Sequence, residues 1–329
     1  MEHAGATALD LLTEEGLDNA LEAPFKGNMD IEKLERCIAE HGKAKIPFCM
    51  ITVTNNTGGG QPVSMENLRA VRQVLDKHGI PLVIDACRFA ENSYLIQQRE
   101  KGYEDKTLLE IAQEMFSYAD AATMSLKKDG LVNIGGFLIC NDDDWAEDFR
   151  SALILTEGFP TYGGMAGRDL EAAAVGLKEA LEQEYQEYRH ATVAYLARAL
   201  AKHDIPYVRP VGGHAVFVDA KAFLANIAPL QYPGIGLVNS LYLEGGIRCV
   251  ELGSVMFGSF DDDGNEIPAP LELVRLAVPR RVYTQSHFDY IAEVLAEVSR
   301  MKDAIKGYRI TYQPKLLRHF TCHFEELPA

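Results

Sequence analysis

The chain has 329 residues, 47% of them hydrophobic, which is enough for two domains with sizeable cores. Its formal net charge of −16 excludes a general affinity for nucleic acid or an anionic membrane surface, and no apolar run reaches the roughly eighteen residues a membrane span needs. The N-terminal "MEHAGATALD" lacks the basic-then-apolar order of a secretory signal, and the six cysteines are scattered without a C-x-x-C pair, which fits reduced thiols in a cytoplasm.

The first half alternates strand and helix signals. "IPFCMITVT" (46–54) is a short apolar run rich in β-branched residues and reads as a strand. "SMENLRAVRQVLDKHG" (64–79) carries Leu68, Val71, Val74 and Leu75 at the helical period, with Ser64 as N-cap and Gly79 as its stop. "IPLVIDA" (80–86) is a second buried strand ending in a carboxylate, which completes a strand–helix–strand unit of the parallel-sheet kind. "KTLLEIAQEMFSYA" (106–119) is the next helix, "AATMSL" (121–126) and "GGFLIC" (135–140) are further strands, and one long helix is expected from about Arg168 to His203. Beyond it, "PYVRPVGGHAVFVDA" (206–220), "GGIRCVEL" (245–252) and "LELVRLAVP" (271–279) read as strands, with a helix over 285–303. That change of texture predicts a second α/β domain with a mostly antiparallel sheet.

In open α/β sheets ligands bind outside the carboxyl ends of the strands. The ends of successive strands collect Asn56 in "TNNTGGG", then Asp85 and Arg88, then Ser125, Lys127 and Lys128, then Asn133 in "NIGG". A carboxylate, a guanidinium and two adjacent ammonium groups suit pyridoxal phosphate. That cofactor needs a lysine for its aldehyde and an acid partner for its ring nitrogen. A neighbouring cation lowers the lysine's pKa and frees its lone pair, which gives the Lys127–Lys128 pair a chemical reason to exist.

Five segments carry a more specific signal. "TNNTGGGQPVSMENLRAVR", "VIDACRFAENSY", "TMSLKKDGLVNIGG", "TYGGMAGRDLEA" and "LELVRLAVPRRVYT" resemble the tryptophanase and tyrosine phenol-lyase family, the aromatic amino-acid β-eliminating lyases. The resemblance runs essentially from residue 1 to residue 329. It implies an aspartate-aminotransferase-like, fold type I large domain, N-terminally incomplete, and a smaller α/β C-terminal domain; the change of texture puts the boundary inside the long helix, near 185–200, which gives 1–190 and 191–329. It also implies roles. Lys128 resembles the Schiff-base lysine, Lys127 and Ser125 residues near the cofactor phosphate, Asp85 the pyridinium partner, and Asn56 and Arg88 contacts to the ring oxygen. Arg275 resembles the arginine that grips the substrate carboxylate, a job that suits a bidentate fork. The Asn133 backbone carbonyl resembles a ligand of the family's monovalent cation, potassium.

Two positions bear on the substrate. Where the phenol-lyase carries an arginine facing the phenol, this chain has Leu252, which packs an indole but cannot bond a phenol oxygen. His319, in "LLRHFTCHFEE", stands where tryptophanase carries an active-site histidine. The implied reaction is β-elimination of L-tryptophan to indole, pyruvate and ammonia, with tyrosine phenol-lyase chemistry as the alternative. Family members extend considerably further at the N-terminus, and no "QGRxAE"-like phosphate loop occurs here. The resemblance therefore implies a chain impaired on its own, or a truncated, catalytically silent assembly partner. The implied setting is a cytoplasmic homo-oligomer, tetrameric in the family, with a separate N-terminal polypeptide as an optional partner.

Overall fold

The computed structural model describes residues 5–159, 161 and 164–328. Part of the "TYGG" segment, Tyr162 and Gly163, lies outside the described residues. The chain divides into two compact units. The first comprises 1–16, 24–55 and 61–188, the second 17–23, 56–60 and 189–329.

The first unit is built on a four-stranded sheet of order β1-β2-β3-β4, with β1 Cys49–Thr52, β2 Leu82–Asp85, β3 Ala121–Ser125 and β4 Gly136–Cys140. β1, β2 and β3 are parallel, and Thr52, Asp85 and Thr123 stand in register at their carboxyl ends. β4 returns antiparallel along β3. Parallel neighbours need helical crossovers. They are supplied by α2 (Met65–His78) between β1 and β2, and by α3 (Phe89–Arg99) and α4 (Leu108–Ser117) between β2 and β3. α1 (Ile31–His41) precedes the sheet. The Ser64 hydroxyl accepts from Asn67 N, and Gly79 stops α2 in the left-handed conformation at φ 59°. Both are the cap chemistry its sequence announces. Leu68, Val71, Val74 and Leu75 pack from α2 into the core with Ile51, Leu82, Ile84 and Met115.

α5 (Asp143–Thr156) buries none of its residues and leaves Phe149, Leu153, Ile154 and Leu155 exposed. The long helix expected from 168 to 203 forms instead as α6 (Gly167–Glu179) and α7 (Gln183–Ala201). The break has a visible cause. The Ala180 carbonyl accepts from the buried Gln186 side-chain amide at 2.7 Å, in place of the backbone N–H a continuous helix would offer.

The second unit holds an antiparallel sheet of order β5-β9-β6, from β5 (Ala215–Asp219), β6 (Val250–Leu252) and β9 (Leu273–Ala277). Around it lie α8 (Ala220–Phe223), α9 (Pro233–Gly245), α10 (Ser254–Phe257), the short ribbon β7 (Ser259–Phe260) with β8 (Glu266–Ile267), and α11 (Gln285–Arg300). A two-stranded ribbon of β10 (Tyr308–Tyr312) and β11 (His323–Glu326) brackets α12 (Arg318–Thr321). Of the strand expected over 206–220 only Ala215–Asp219 forms a ladder, and Ala220 already opens α8. Pro206 and Pro210 have no N–H to give, and Tyr207 makes only an isolated bridge to Val218. The core of this unit gathers Leu196, Leu200, Val216, Leu237, Leu276 and Leu295.

Candidate active site

In the first unit, β2 and β3 end side by side. Asp85 closes β2, and its Oδ1 accepts from Cys87 N at 3.2 Å. Ser125 closes β3, and its N–H donates to Cys87 Sγ at 3.1 Å. Burial and the Asp85 carboxylate push the Cys87 thiol up, while the Ser125 N–H and the Lys128 ammonium pull it down, so Asp85, Ser125 and Lys128 all act on one sulfur. Leu126 is buried, Lys127 is exposed and Lys128 half-buried. The Lys128 carbonyl accepts from Leu131 N at 3.0 Å, and Leu126 N donates to Gly135 O at 3.0 Å, which closes the lysine turn on itself. Asp129 is 1% exposed, and its Oδ2 accepts from Ala90 N at 2.9 Å and Glu91 N at 3.2 Å. Arg88 is buried at the N-cap of α3. α6 presses on this turn through Gly176, where a Cβ would strike the Gly130 carbonyl. Asn133 sits in the exposed bend that follows. No group of three or more His, Cys, Asp or Glu that could hold a metal occurs among the described residues.

Asn56 belongs with the second unit. Its Oδ1 accepts from Arg275 Nη1 at 2.8 Å and pairs with His214 Nε2 at 2.8 Å. Arg275 projects from β9, opposite Phe217 on β5 and Val250 on β6. The His214 ring meets Phe217 edge-on at 5.6 Å. Leu252, 2% exposed, packs with Val208, Ala215, Phe217 and Leu273. His319 lies on α12 and is half-buried beside Phe320, and that partial burial lowers its pKa. α12 is fastened by Arg318. Its Nε donates to Val255 O at 2.9 Å, its Nη1 to Gln313 Oε1 at 3.1 Å, and its Nη2 to Ser254 O and Glu266 Oε1. Beneath α10 lie two buried carboxyls. Glu272 accepts from Ser254 N at 3.0 Å and from the Ser254 hydroxyl, and Glu251 accepts from Val255 N at 3.2 Å. Burial, with Glu272 nearby, raises the Glu251 pKa to about 8, and burial raises that of Glu272 to about 7.

The family model described as beta-eliminating lyase matches residues 1–294. The chain is 56% identical to a tryptophanase of Salinibacter ruber over 323 residues, covering 98% of this chain and 68% of that protein. It is 54% identical to a tryptophanase of Hyphomonas neptunium over 327 residues, 99% of this chain and 72% of that one. A tyrosine phenol-lyase of Pasteurella multocida is 48% identical over 324 residues, 98% of this chain and 71% of that one. The chain belongs to the β-eliminating lyase family. It is therefore a lyase acting on a small molecule, from a family that depends on pyridoxal phosphate.

The residues of this β-eliminating lyase fit that cofactor. The Ser125 hydroxyl oxygen is buried without a hydrogen-bond partner, a state costly to folding unless a ligand takes the bond. Beside it stand a carboxylate, a buried guanidinium and two ammonium groups, which match a pyridine bearing an aldehyde and a phosphate. The expected residues Asp85, Arg88, Ser125, Lys127 and Lys128 fall together in the first unit, while Asn56, Leu252, Arg275 and His319 fall in the second. Three further residues of this lyase escaped the sequence reading. His214 in "GGHAVFVD" read only as strand, although a histidine after two glycines and before an apolar run was a usable signal. Asp129 reads only as half of an Asp-Gly turn signal, and Arg318 does not stand out at all. Nothing local marks either as buried.

No helix among the described residues is long and apolar enough to cross a membrane.

Proposed function

We propose that this chain carries the cofactor lysine and substrate-binding residues for β-elimination of L-tryptophan to indole, pyruvate and ammonia. The observation that carries the reading is the convergence of Lys128, Asp85 and the unpartnered Ser125 hydroxyl at the ends of two adjacent parallel strands. When bound, pyridoxal phosphate supplies the electron sink for the pair left at Cα. Lys128 is the amine for its aldehyde, and afterwards the base that takes the Cα proton. Asp85 holds a proton at the ring nitrogen, Arg88 and Asn56 orient the ring oxygen, and Ser125 and Lys127 bind the phosphate. Arg275 grips the substrate carboxylate, its Nη1 being steadied by Asn56. Residues 1–190 act as the cofactor domain and 191–329 as the small domain, with potassium at the Asn133 carbonyl and a tetramer as the working assembly.

Leu252 and His319 support tryptophan over tyrosine. A phenol hydroxyl buried against Leu252 finds no donor or acceptor there, a loss of roughly 1–3 kcal/mol. Burial lowers the pKa of His319 and so favours its neutral ring, whose unprotonated nitrogen can accept from the indole N–H. The tyrosine phenol-lyase relative keeps the second reading in view. The test is a colorimetric indole assay beside a phenol assay, with saturating pyridoxal phosphate and potassium. Indole released in preference to phenol is expected. Equal or greater turnover of tyrosine would reverse the substrate, and neither product, with no cofactor bound, would leave a silent assembly partner.

A further inference from the structure

We infer that Asp129 is the positioning residue that sets where the Lys128 amine stands. This rests on the reading of Lys128 as the cofactor lysine. Asp129 follows that lysine directly and is buried to 1% exposure. A buried carboxylate is costly unless its oxygens are bonded. Here Oδ2 accepts the backbone N–H groups of Ala90 and Glu91, and the Asp129 N–H donates to Cys87 O at 3.2 Å. Those amides lie in the first turn of α3, whose N–H groups find no acceptor within the helix and whose positive end favours an anion. Its own N-cap, Arg88, makes no side-chain cap bond. The helix thus takes its cap from the lysine turn, a segment beyond the next strand.

The consequence for Lys128 is geometric. The turn is held at one end by the β3 ladder and by Ser125 N on Cys87 Sγ. At the other end it is held by Asp129 on α3 and on the Cys87 carbonyl. Both ends are therefore tied to the segment that carries Asp85 and Arg88. Lys128 lies between the two ties and Lys127 one residue nearer the strand. Which lysine faces Cys87 and Asp85 depends on the register Asp129 imposes. Without its carboxylate the turn keeps its strand anchor and the backbone bond to the Cys87 carbonyl, and loses the two bonds to α3 that fix its twist.

The test reads the two amines without cofactor. Trace acetylation with acetic anhydride across pH 7–10, resolved by fragment-ion mass spectrometry, gives the Lys128-to-Lys127 reactivity ratio in the full chain. The variants are Asp129→Ala and Asp129→Asn, with the exposed Lys77 as internal reference. The ratio should change about tenfold in Asp129→Ala and less in Asp129→Asn, which keeps one acceptor, while Lys77 stays constant. If Asp129→Ala does not melt cooperatively, Asp129→Asn decides alone. A lower melting temperature with an unchanged ratio in a folded variant would make Asp129 a helix cap and nothing more, and would overturn the inference. Borohydride reduction of the wild-type chain with pyridoxal phosphate tests the underlying reading separately. A label on Lys127 would sink the assignment of Lys128, while the acetylation ratio would still report whether Asp129 holds the turn.

Discussion

The lysine turn and the His319 arm are both short irregular segments that present one side chain, yet they are held by opposite chemistry. The turn is fixed by an anion, Asp129, whose partners are backbone amides in a buried place. The arm is fixed by a cation, Arg318, spread over two carbonyls, a glutamine and a carboxylate. Around the turn the neighbours are core residues such as Met124 and Leu126; around the arm Leu316, Leu317 and Phe320 stand exposed. The arm rests on α10, above Glu251 and Glu272, whose pKa values burial raises to about 8 and about 7. The comparison teaches that the turn is built for one fixed geometry, and the arm for a geometry that responds to its surroundings.

The largest expected effect separates the two lysines of the turn. In Lys128→Met the pyridoxyl label left by borohydride reduction should vanish, whereas Lys127→Met should retain it at Lys128. Peptide mapping checks this, and label surviving in Lys128→Met would break the account of the turn. Next comes the arm. Arg318→Ala removes the partner of Glu266 from a mostly buried ion pair and should cost about 3 kcal/mol in urea unfolding. In the same variant the His319 ring protons should titrate closer to an ordinary imidazole, because the burial that lowers its pKa is relaxed.

A smaller effect concerns pH. Glu251 and Glu272 hold protons more tightly in the folded chain than in the unfolded one, because burial opposes their charge. Their favourable contribution is therefore complete below the ordinary carboxylate range and is lost as pH rises towards about 8 for Glu251. Stability should fall by on the order of 2 kcal/mol between pH 5 and pH 8, and Glu251→Gln should flatten that slope. Melting curves across the range test it; an unchanged slope would detach the arm from the acid pair. The smallest is Ser254→Ala, which strips Glu272 of its hydroxyl donor and Ala269 N of its acceptor, for a loss of about 1–2 kcal/mol.

Much of this was legible in the chain itself, for identifiable reasons. α2 announced itself because Ser64, Gly79 and a helical apolar stripe agree, and β2 because an apolar run ends in Asp85. Local signals of this kind survive folding unless tertiary contacts override them. The α6–α7 break was not legible, because it depends on a side-chain amide reaching back to Ala180. α3 was missed for a related reason: its anionic cap comes from Asp129, far along the chain. The candidate site divides the same way. Lys127, Lys128 and Asp85 stand out by type and place. His214, Asp129 and Arg318 acquire meaning only through partners distant in sequence.

Gly176 has no chemistry of its own, yet the lysine turn lies directly under it. A helix residue with any side chain would push the Gly130 carbonyl, and with it the segment from Lys128 to Leu131. A genetic screen for lost cofactor labelling should therefore return Gly176→Ala in company with changes at Lys128 and Asp129. Anyone drawing the active site from such hits would place a packing glycine among the reactive groups, and would be mapping the mould together with what it shapes.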